Sequence, residues 1–250
     1  MIVMDEKINY IIGMRPVMEA VMAGKKIDKV FLKSGMGGDL FAELVALLRE
    51  HNIAFQFVPV QRLEKFSRGR HQGVIAQLSS IDYVPLEEAV ENAFKSGDAP
   101  VFVLLDGISD VRNLGAIARS AECAKASAIV VPARGGALVT PDSVKASAGA
   151  LVRMNISKVS NLKEAIYYLK DAGFKVVAAT EKGDEMIYNV DFRGATAIVM
   201  GSESKGISPA VLALCDVRCR IPMLGEIGSL NVSVATSIVL FEAVRQRTLA

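Results

Sequence analysis

The chain has 250 residues, 51% of them hydrophobic and 22% charged, with a formal net charge of +2. This composition predicts a globular protein with a substantial core and excludes a disordered chain, while so small a charge does not by itself indicate a nucleic-acid partner. The most apolar stretch, residues 229–244, is interrupted by polar side chains, which does not fit a membrane-spanning helix of about 20 apolar residues.

The cysteines and the first residues indicate where the protein works. Cys123, Cys215 and Cys219 form an odd set without a CxxC pair, which supports neither a disulfide framework nor a four-ligand zinc site. Asp5 and Glu6 stand where a signal peptide would carry positive charge. We therefore expect a cytoplasmic protein that needs no metal.

Residues 1–80 alternate between helical and strand-like patterns. The predicted elements, in chain order, are a helix at 16–23, a strand at 29–32, a helix at 40–50, a strand at 54–58, a short helix at 60–66 and a strand at 73–78. This order predicts a small α/β domain. Residues 81–100 are then predicted to be a linker, with a helix at 86–94.

A small basic cluster lies at the end of this first domain. Its members are Arg62, Lys65, Arg68 and Arg70, followed by His71. Because the Ser-Arg-Gly-Arg sequence at 67–70 is typical of an exposed loop, the cluster is a candidate site for phosphate contact. The alternative is an ordinary solvated charged face. For His71, RNA contact is the preferred interpretation over catalysis.

The second domain, residues 101–250, has a more regular pattern. Apolar runs at 101–105, 128–131, 174–179 and 196–200 alternate with helical stretches. Continuous Val, Ile and Leu runs separated by helices predict a mainly parallel sheet with helices on both faces. Ligands of such sheets bind beyond the carboxyl ends of the strands, so we searched for chemistry in the residues that follow each run.

Three familiar nucleotide and hydrolase motifs are missing from those positions. The turn after the first run lacks Gly-x-Gly-x-x-Gly, and the chain has neither a Gly-x-x-x-x-Gly-Lys-Ser/Thr loop nor a Gly-x-Ser-x-Gly elbow. The sequence therefore gives no support to a Rossmann dinucleotide site, a phosphate-binding loop or an α/β-hydrolase nucleophile.

The first polar segment follows the run at 101–105. A helix is predicted to begin near Leu114, with Asn113 at its N-cap and Arg119 six residues further on. Small alanines around Arg119 would allow a ligand or another chain segment to approach closely. The alternative is that Asn113 only caps the helix and Arg119 only points to solvent.

Two further polar segments follow later runs. Gly201 and Gly206 flank Glu203, whose carboxylate could bond a cofactor amine or orient a reacting group, although a solvated turn would look similar. A glycine-containing loop then enters the last helix, where Ser229 and Asn231 can cap the helix and offer polar groups.

Together, the three segments resemble the signature motifs of the SpoU family of SPOUT methyltransferases. They read Asn113-Leu-Gly-Ala-Ile-Ala-Arg119-Ser-Ala, Gly201-Ser-Glu203-Ser-Lys-Gly206 and Ile221-Pro-Met-x-Gly-x-x-x-Ser229-Leu-Asn231-Val-Ser-Val-Ala. The resemblance covers essentially all of residues 101–247. The segments at 12–21 and 71–77 are similar to the family's ribosomal-protein-like accessory domain, which binds substrate RNA. Within the family, the arrangement most resembles the bacterial branch that methylates a guanosine 2′-hydroxyl in 23S rRNA.

The resemblance implies a fold, a cofactor and a partner. The fold is a trefoil knot at the C-terminal end of the sheet, the cofactor is S-adenosylmethionine, and the partners are RNA and a second copy of the chain. Catalysis would depend on Arg119, with Asn113, Glu203 and Asn231 as positioning groups. The cofactor would contact Gly201, Ile221 and Leu230, with Thr180, Met223 and Ser229 nearby.

Two alternatives remain open from the sequence. A tRNA ribose methyltransferase would carry the same motifs, because they recognise cofactor and ribose and not the surrounding RNA. A noncatalytic RNA-binding or ribosome-assembly protein would share the first domain, and it would bind RNA without transferring a methyl group.

Overall fold

A computed structural model describes residues 10–66 and 71–248 of the chain. Two compact units divide it, the first ending at Asp82 and also including Val139–Pro141, the second comprising Tyr83–Leu138 and the residues from Asp142 onward. Arg68 and Arg70 lie outside the described residues, so the predicted phosphate contacts of these two side chains have no structural counterpart here.

The first unit is a small mixed α/β structure. Its elements are β1 (Tyr10–Ile12), α1 (Met14–Met22), β2 (Ile27–Lys33), α2 (Asp39–Glu50), β3 (Phe55–Val58), α3 (Val60–Glu64) and β4 (Val74–Leu78). The strand order is β1-β4-β2-β3, in which β2 and β3 are parallel and the other pairs are antiparallel. Val17 and Val21 of α1, and Leu44 and Leu48 of α2, occur at helical spacing and pack with β2 and β4 in one buried cluster.

The second unit contains the larger sheet. Its elements are α4 (Leu86–Lys95), β5 (Val101–Asp106), α5 (Val111–Cys123), β6 (Ala128–Pro132), α6 (Pro141–Ala146), α7 (Ala150–Arg153), β7 (Asn155–Val159), α8 (Leu162–Asp171), β8 (Lys175–Ala179), β9 (Glu185–Met186), a 3-10 turn (Ile187–Asn189), β10 (Thr196–Gly201), α9 (Pro209–Leu212), β11 (Val217–Arg220) and α10 (Val232–Thr248). Helix α4, in the stretch predicted as a linker, packs in the core of this unit through residues such as Ala89 and Val90.

All strand pairs of the larger sheet are parallel, in the order β7-β6-β5-β10-β8-β11-β9. Phe102 and Leu104 of β5 pack with α4 and α8 in one cluster. Val103 and Leu105 alternate with them, point to the opposite face and are also buried. Burial on both faces explains the continuous apolar runs, and the predicted α/β fold with a mainly parallel sheet is confirmed.

Three strands of this sheet do not correspond to any predicted apolar run, and one of them, β9, has only two residues. β7 reads Asn-Ile-Ser-Lys-Val and lies at one edge, so its side chains alternate between polar and apolar. β11 reads Val-Arg-Cys-Arg and is four residues long. Neither pattern resembles the long apolar runs of β5 and β10, because a short or edge strand needs few apolar side chains.

No helix in the described part of the chain is long and apolar enough to cross a membrane.

Candidate functional site

The strand order of the larger sheet reverses between β5 and β10. Asp106 and Gly201, the last residues of these strands, are paired in register. The Asp106 carboxylate also accepts a hydrogen bond of 2.7 Å from the backbone N–H of Ser208, which fixes the loop after β10 to the end of β5. In open parallel sheets this reversal point is where ligands bind.

Three polar side chains from distant parts of the sequence meet beside this reversal point. The Nδ2 groups of Asn113 and Asn231 both donate to Oε1 of Glu203, at 2.8 and 2.9 Å. Asn231 Nδ2 also lies 3.1 Å from Asn113 Oδ1. We refer to these residues as the Asn–Glu–Asn network, and the structure thus joins three of the four residues predicted to act in catalysis.

The position of Asn113 differs from the prediction. Helix α5 begins at Val111, and Asp110 is its N-cap, because the Asp110 carboxylate accepts a 2.8 Å hydrogen bond from the N–H of Arg112. The predicted N-cap role of Asn113 and the predicted start of the helix near Leu114 are therefore wrong. Since Asp110 satisfies the helix terminus, the Asn113 amide in the first turn is available to Glu203.

Asn231 has two structural functions at once. Its Oδ1 caps α10 by accepting hydrogen bonds from the N–H groups of Ser233 and Val234, at 2.9 and 3.4 Å, and from Ser233 Oγ at 2.5 Å. Because the carbonyl side of the amide is fixed in this way, the Nδ2 side must face Glu203. Ser229, also predicted as a cap, is exposed, and it makes no capping hydrogen bond to any described residue.

Two motif glycines permit close backbone approach. A Cβ at Gly201 would lie 2.1 Å from the carbonyl carbon of Gly206, and a Cβ at Gly115 would lie 2.7 Å from the carbonyl oxygen of Ser143. Both distances are far inside van der Waals contact with backbone atoms that cannot move away cheaply. Gly201 therefore closes the loop that presents Glu203, and Gly115 lets α5 pack directly on α6.

Arg119 is exposed on α5 and stays apart from the network. Within residues 10–66 and 71–248, its side chain forms no hydrogen bond or ion pair. The neighbouring residue Ser120 is instead held against α10, because the Oγ atoms of Ser120 and Ser237 are 2.7 Å apart. No pattern in the sequence predicted this serine pair. It fixes the helix that carries Arg119 to the helix that begins beside Asn231.

The predicted cofactor residues follow three adjacent strands. Thr180, Gly201 and Ile221 stand at or just beyond the carboxyl ends of β8, β10 and β11. These ends are level, because Ala179 is paired with both Met200 and Cys219. Backbone groups from three distant segments therefore line one edge of the sheet.

Comparison with known proteins gives the family. Residues 100–241 match the SpoU rRNA Methylase family, which is more than half of the chain. The chain belongs to the SpoU family. Residues 10–84 match a second family, described as RNA 2′-O ribose methyltransferase substrate binding.

Relatives of similar length support this membership. The chain is 32% identical over 244 residues to the putative TrmH family tRNA/rRNA methyltransferase YacO of Bacillus subtilis, covering 98% of each chain. It is 33% identical over 240 residues to a Staphylococcus aureus protein of the same description, covering 96% of each chain. Among solved structures, the SpoU methyltransferase AviRb of Streptomyces viridochromogenes with AdoMet matches with a TM-score of 0.62 and 26% identity, covering 96% of this chain and 91% of that one.

The SpoU protein is therefore an S-adenosylmethionine-dependent RNA 2′-O-methyltransferase. The loop at 221–230 has the chemistry to bind such a cofactor. In the part of the chain that is described, no backbone group of this loop forms a hydrogen bond, so its N–H and C=O groups can bind the polar edge of a purine. Ile221 and Met223 are half-buried and Leu230 is 38% exposed, and such apolar side chains can pack on the ring face.

The described residues of the basic cluster have different surroundings. The Arg62 guanidinium lies over the Phe31 ring, 5.9 Å from its centroid, while Lys65 is exposed. His71 Nδ1 accepts a 3.0 Å hydrogen bond from the N–H of Gly73, which leaves Nε2 as its other polar group. The three described residues of this cluster therefore differ in their contacts: Arg62 lies over an aromatic ring, Lys65 is exposed, and His71 accepts a backbone hydrogen bond.

Across the residues that the structure describes, no group of three or more His, Cys, Asp or Glu side chains is arranged to hold a metal ion.

Asn231 variants can separate the helix cap from the network. We expect Asn231→Ala to lower the free energy of unfolding by about 1 kcal/mol, because the cap is lost, and to reduce methyl transfer. Asn231→Asp should keep the capping oxygen but place a carboxylate beside Glu203, so methyl transfer should fall on the order of a hundredfold without loss of the cap. Chemical denaturation and single-turnover methylation measure the two effects.

Asn161→Ala is the matched control for this experiment. Asn161 caps α8 through a 3.1 Å hydrogen bond from the N–H of Lys163, and it belongs to none of the three motifs. Its loss should cost a similar free energy of unfolding and leave methyl transfer unchanged. Near-normal turnover in Asn231→Asp would show that the network has no part in the reaction.

Proposed function

We propose that this SpoU methyltransferase modifies the 2′-hydroxyl of a guanosine in 23S rRNA, and does so in the cytoplasm. One observation favours rRNA over tRNA. The AdoMet-bound rRNA methyltransferase of Sinorhizobium meliloti matches 94% of this chain, with a TM-score of 0.60 and 25% identity, and covers 86% of that protein. The TrmH/SpoU tRNA modifying enzyme of A. aeolicus, with 29% identity and a TM-score of 0.56, covers only 66% of this chain. The likeness to the rRNA enzyme thus extends over both units.

The reaction requires a better nucleophile than a ribose hydroxyl at neutral pH. When bound, S-adenosylmethionine supplies an electrophilic methyl group to the 2′-oxygen. The protein must then assist loss of the hydroxyl proton or stabilise the negative charge that develops on the oxygen. Arg119 is our candidate for this role. Its guanidinium remains protonated at neutral pH, so it acts as a hydrogen-bond donor and positive charge and not as a general base.

The exposure of Arg119 supports this assignment. A guanidinium without an acidic partner in the described chain retains its full set of donors for a ribose oxygen or an RNA phosphate. The Asn–Glu–Asn network would position the chain segments around Arg119. Its two amides are already bonded to Glu203, so its role is to orient the site and not to move a proton.

The cofactor would lie against the level ends of β8, β10 and β11. Gly201, Ile221 and Leu230 would contact it chiefly through backbone, with Thr180, Met223 and Ser229 nearby. The trefoil knot is part of this proposal. Support for it comes from β11, which is inserted between β8 and β9 although both of those strands precede it in the chain.

The first unit would supply affinity for RNA. Lys65, Arg62 and His71, together with Arg68 and Arg70, are the proposed phosphate contacts, and the match of residues 10–84 to a substrate-binding family supports this assignment. Phe31, under the Arg62 guanidinium, would keep that side chain extended over the sheet.

The RNA target can be identified directly. Incubation with undermodified total RNA and methyl-labelled cofactor, followed by mapping of 2′-O-methyl sites, should place the label on one guanosine of 23S rRNA. Label confined to tRNA would establish the alternative target. RNA binding without any transfer would favour the noncatalytic alternative.

Arg119 variants test the mechanism on the mapped RNA. Arg119→Ala should lower the single-turnover rate on the order of a hundred- to a thousandfold, because a donor to the developing charge is removed. Cofactor affinity should stay unchanged by calorimetry, since the loss affects the transition state more than the ground state. Arg119→Lys should rescue poorly, because an ammonium lacks the planar fork of donors. Activity of the Ala variant within a few-fold of wild type would remove Arg119 from the mechanism.

We also propose a homodimer that uses α10 and the 221–230 loop. Val232 and Val239 of α10 are buried within the unit, but Val234 and Phe241 are 46% and 49% exposed. Three apolar side chains of the loop add to this surface: Leu224, Ile227 and Leu230, at 99%, 79% and 38% exposure. Val234 and Phe241 are seven residues apart on one side of α10, and exposed apolar side chains that share a helix face favour an interaction surface.

Light scattering tests the dimer at micromolar concentration. The wild type should have the mass of two chains, and Phe241→Glu should shift the protein toward monomer because it places a charge in an apolar interface. Tyr188→Glu is the matched control, since Tyr188 is an exposed aromatic side chain outside α10 and the loop, at 56% exposure. A monomeric wild type would refute the proposal.

A further inference from the structure

The segment between β8 and β9, residues 180–184, is packed closely on β11. The N–H of Thr180 donates to the carbonyl of Cys219 at 2.9 Å, and the N–H of Gly183 donates to the carbonyl of Thr180 at 3.0 Å. A Cβ at Gly183 would lie 2.3 Å from the carbonyl carbon of Cys219. We call this segment the 180–184 loop, and its backbone lies directly against the end of β11.

One side chain ties this loop to β11. Nη1 of Arg220, the last residue of the strand, donates to the carbonyl oxygens of Gly183 and Asp184, at 2.5 and 3.3 Å. A guanidinium Nη1 carries two hydrogens, so it can serve both carbonyls together. In the described ranges Arg220 forms no ion pair with a carboxylate, so these two carbonyls are what fixes its charged group.

The position of this contact gives it a functional meaning. Thr180 opens the 180–184 loop, and Ile221 directly follows Arg220 in the chain, so the hydrogen bonds from Arg220 connect the two chain segments that carry these proposed cofactor contacts. The 221–230 loop has no backbone hydrogen bond of its own among the described residues, and its first residue is therefore fixed mainly through β11. The hydrogen bonds from Arg220 join two walls of the cofactor site.

We propose that Arg220 is a positioning residue for the S-adenosylmethionine site, holding the 180–184 loop at the distance from Ile221 that the cofactor requires. This inference rests on the proposed placement of the cofactor at the ends of β8, β10 and β11. Arg220 itself does not touch the reacting atoms. It acts by restricting the loop before the cofactor arrives, and such preorganisation increases affinity because less ordering remains to be done on binding.

The test measures cofactor affinity of the full chain by calorimetry with S-adenosylmethionine and no RNA. Arg220→Ala should raise the Kd about tenfold, which corresponds to about 1.4 kcal/mol. Arg220→Lys should give an intermediate Kd, because an ammonium can reach one carbonyl but does not reproduce the arginine geometry. If Arg220→Ala does not fold, the Lys variant and an Arg220→Gln variant, which keeps a single side-chain NH₂ donor, provide the same comparison.

Arg218→Ala is the matched control. Arg218 lies two residues earlier on the same strand, is exposed and forms no hydrogen bond or ion pair with the described residues. The Arg218→Ala substitution removes an equal charge from β11 without releasing the 180–184 loop. The Kd of this variant for S-adenosylmethionine should therefore stay within about twofold of wild type. An equal rise in Kd for Arg218→Ala would mean that the effect is one of charge, and the proposal would fall.

Hydrogen exchange separates positioning from a general loss of stability. The N–H groups of Thr180 and Gly183 should exchange faster in Arg220→Ala without cofactor, while amides in the centre of β5 and β10 keep their protection. Unchanged exchange at both loop amides, or an unchanged Kd in a folded Arg220→Ala protein, would overturn the proposal. A wild-type protein that does not bind S-adenosylmethionine would instead overturn the cofactor placement, and this inference with it.

Discussion

A single carboxylate oxygen is the point on which the site depends. Oε1 of Glu203 accepts hydrogen bonds from the side-chain amides of Asn113 and Asn231. These residues come from the first turn of α5, the loop after β10 and the start of α10, so one acceptor joins three chain segments that are far apart in sequence. Among the described residues, no other hydrogen bond links the two asparagines to the loop after β10.

The carboxylate can serve this purpose because other groups hold each partner in place. Asp110 caps α5 and leaves the Asn113 amide free to turn inward. The N–H groups of Ser233 and Val234 donate to Oδ1 of Asn231, and this orients the Nδ2 group of the same side chain toward Glu203. An amide whose orientation is already set by its other hydrogen bonds loses little further freedom when it binds Glu203, so each asparagine is preorganised for the network.

The sequence predicted the architecture better than it predicted local structure. Long apolar runs at β5, β6, β8 and β10 identified the parallel sheet, because strands buried on both faces cannot tolerate polar residues. Edge strands β7 and β9 and short β11 gave no such signal. Yet β11 carries Arg220 and leads into the 221–230 loop, so a strand without an apolar run supports much of the proposed cofactor site.

The same contrast holds for the site residues. Asn113, Glu203 and Asn231 were found through their motifs, although the N-cap predicted for Asn113 belongs to Asp110. The Ser120–Ser237 pair could not have been predicted, because a hydrogen bond between two helices depends on how they pack and not on local spacing. Periodicity identifies the face of a helix, but only the assembled unit determines what that face meets.

The network satisfies its acid without using an arginine. A carboxylate next to a helix would ordinarily attract the nearest guanidinium. An arginine paired in this way would have fewer hydrogen-bond donors and less positive charge available for another ligand. Here Glu203 takes its hydrogen bonds from two neutral amides, which order the loop without engaging an arginine side chain. Satisfying the acid with amides orders the site and still leaves the arginine's charge directed outward. A site that binds a polyanion and stabilises an alkoxide, as we propose for Arg119, requires both conditions together.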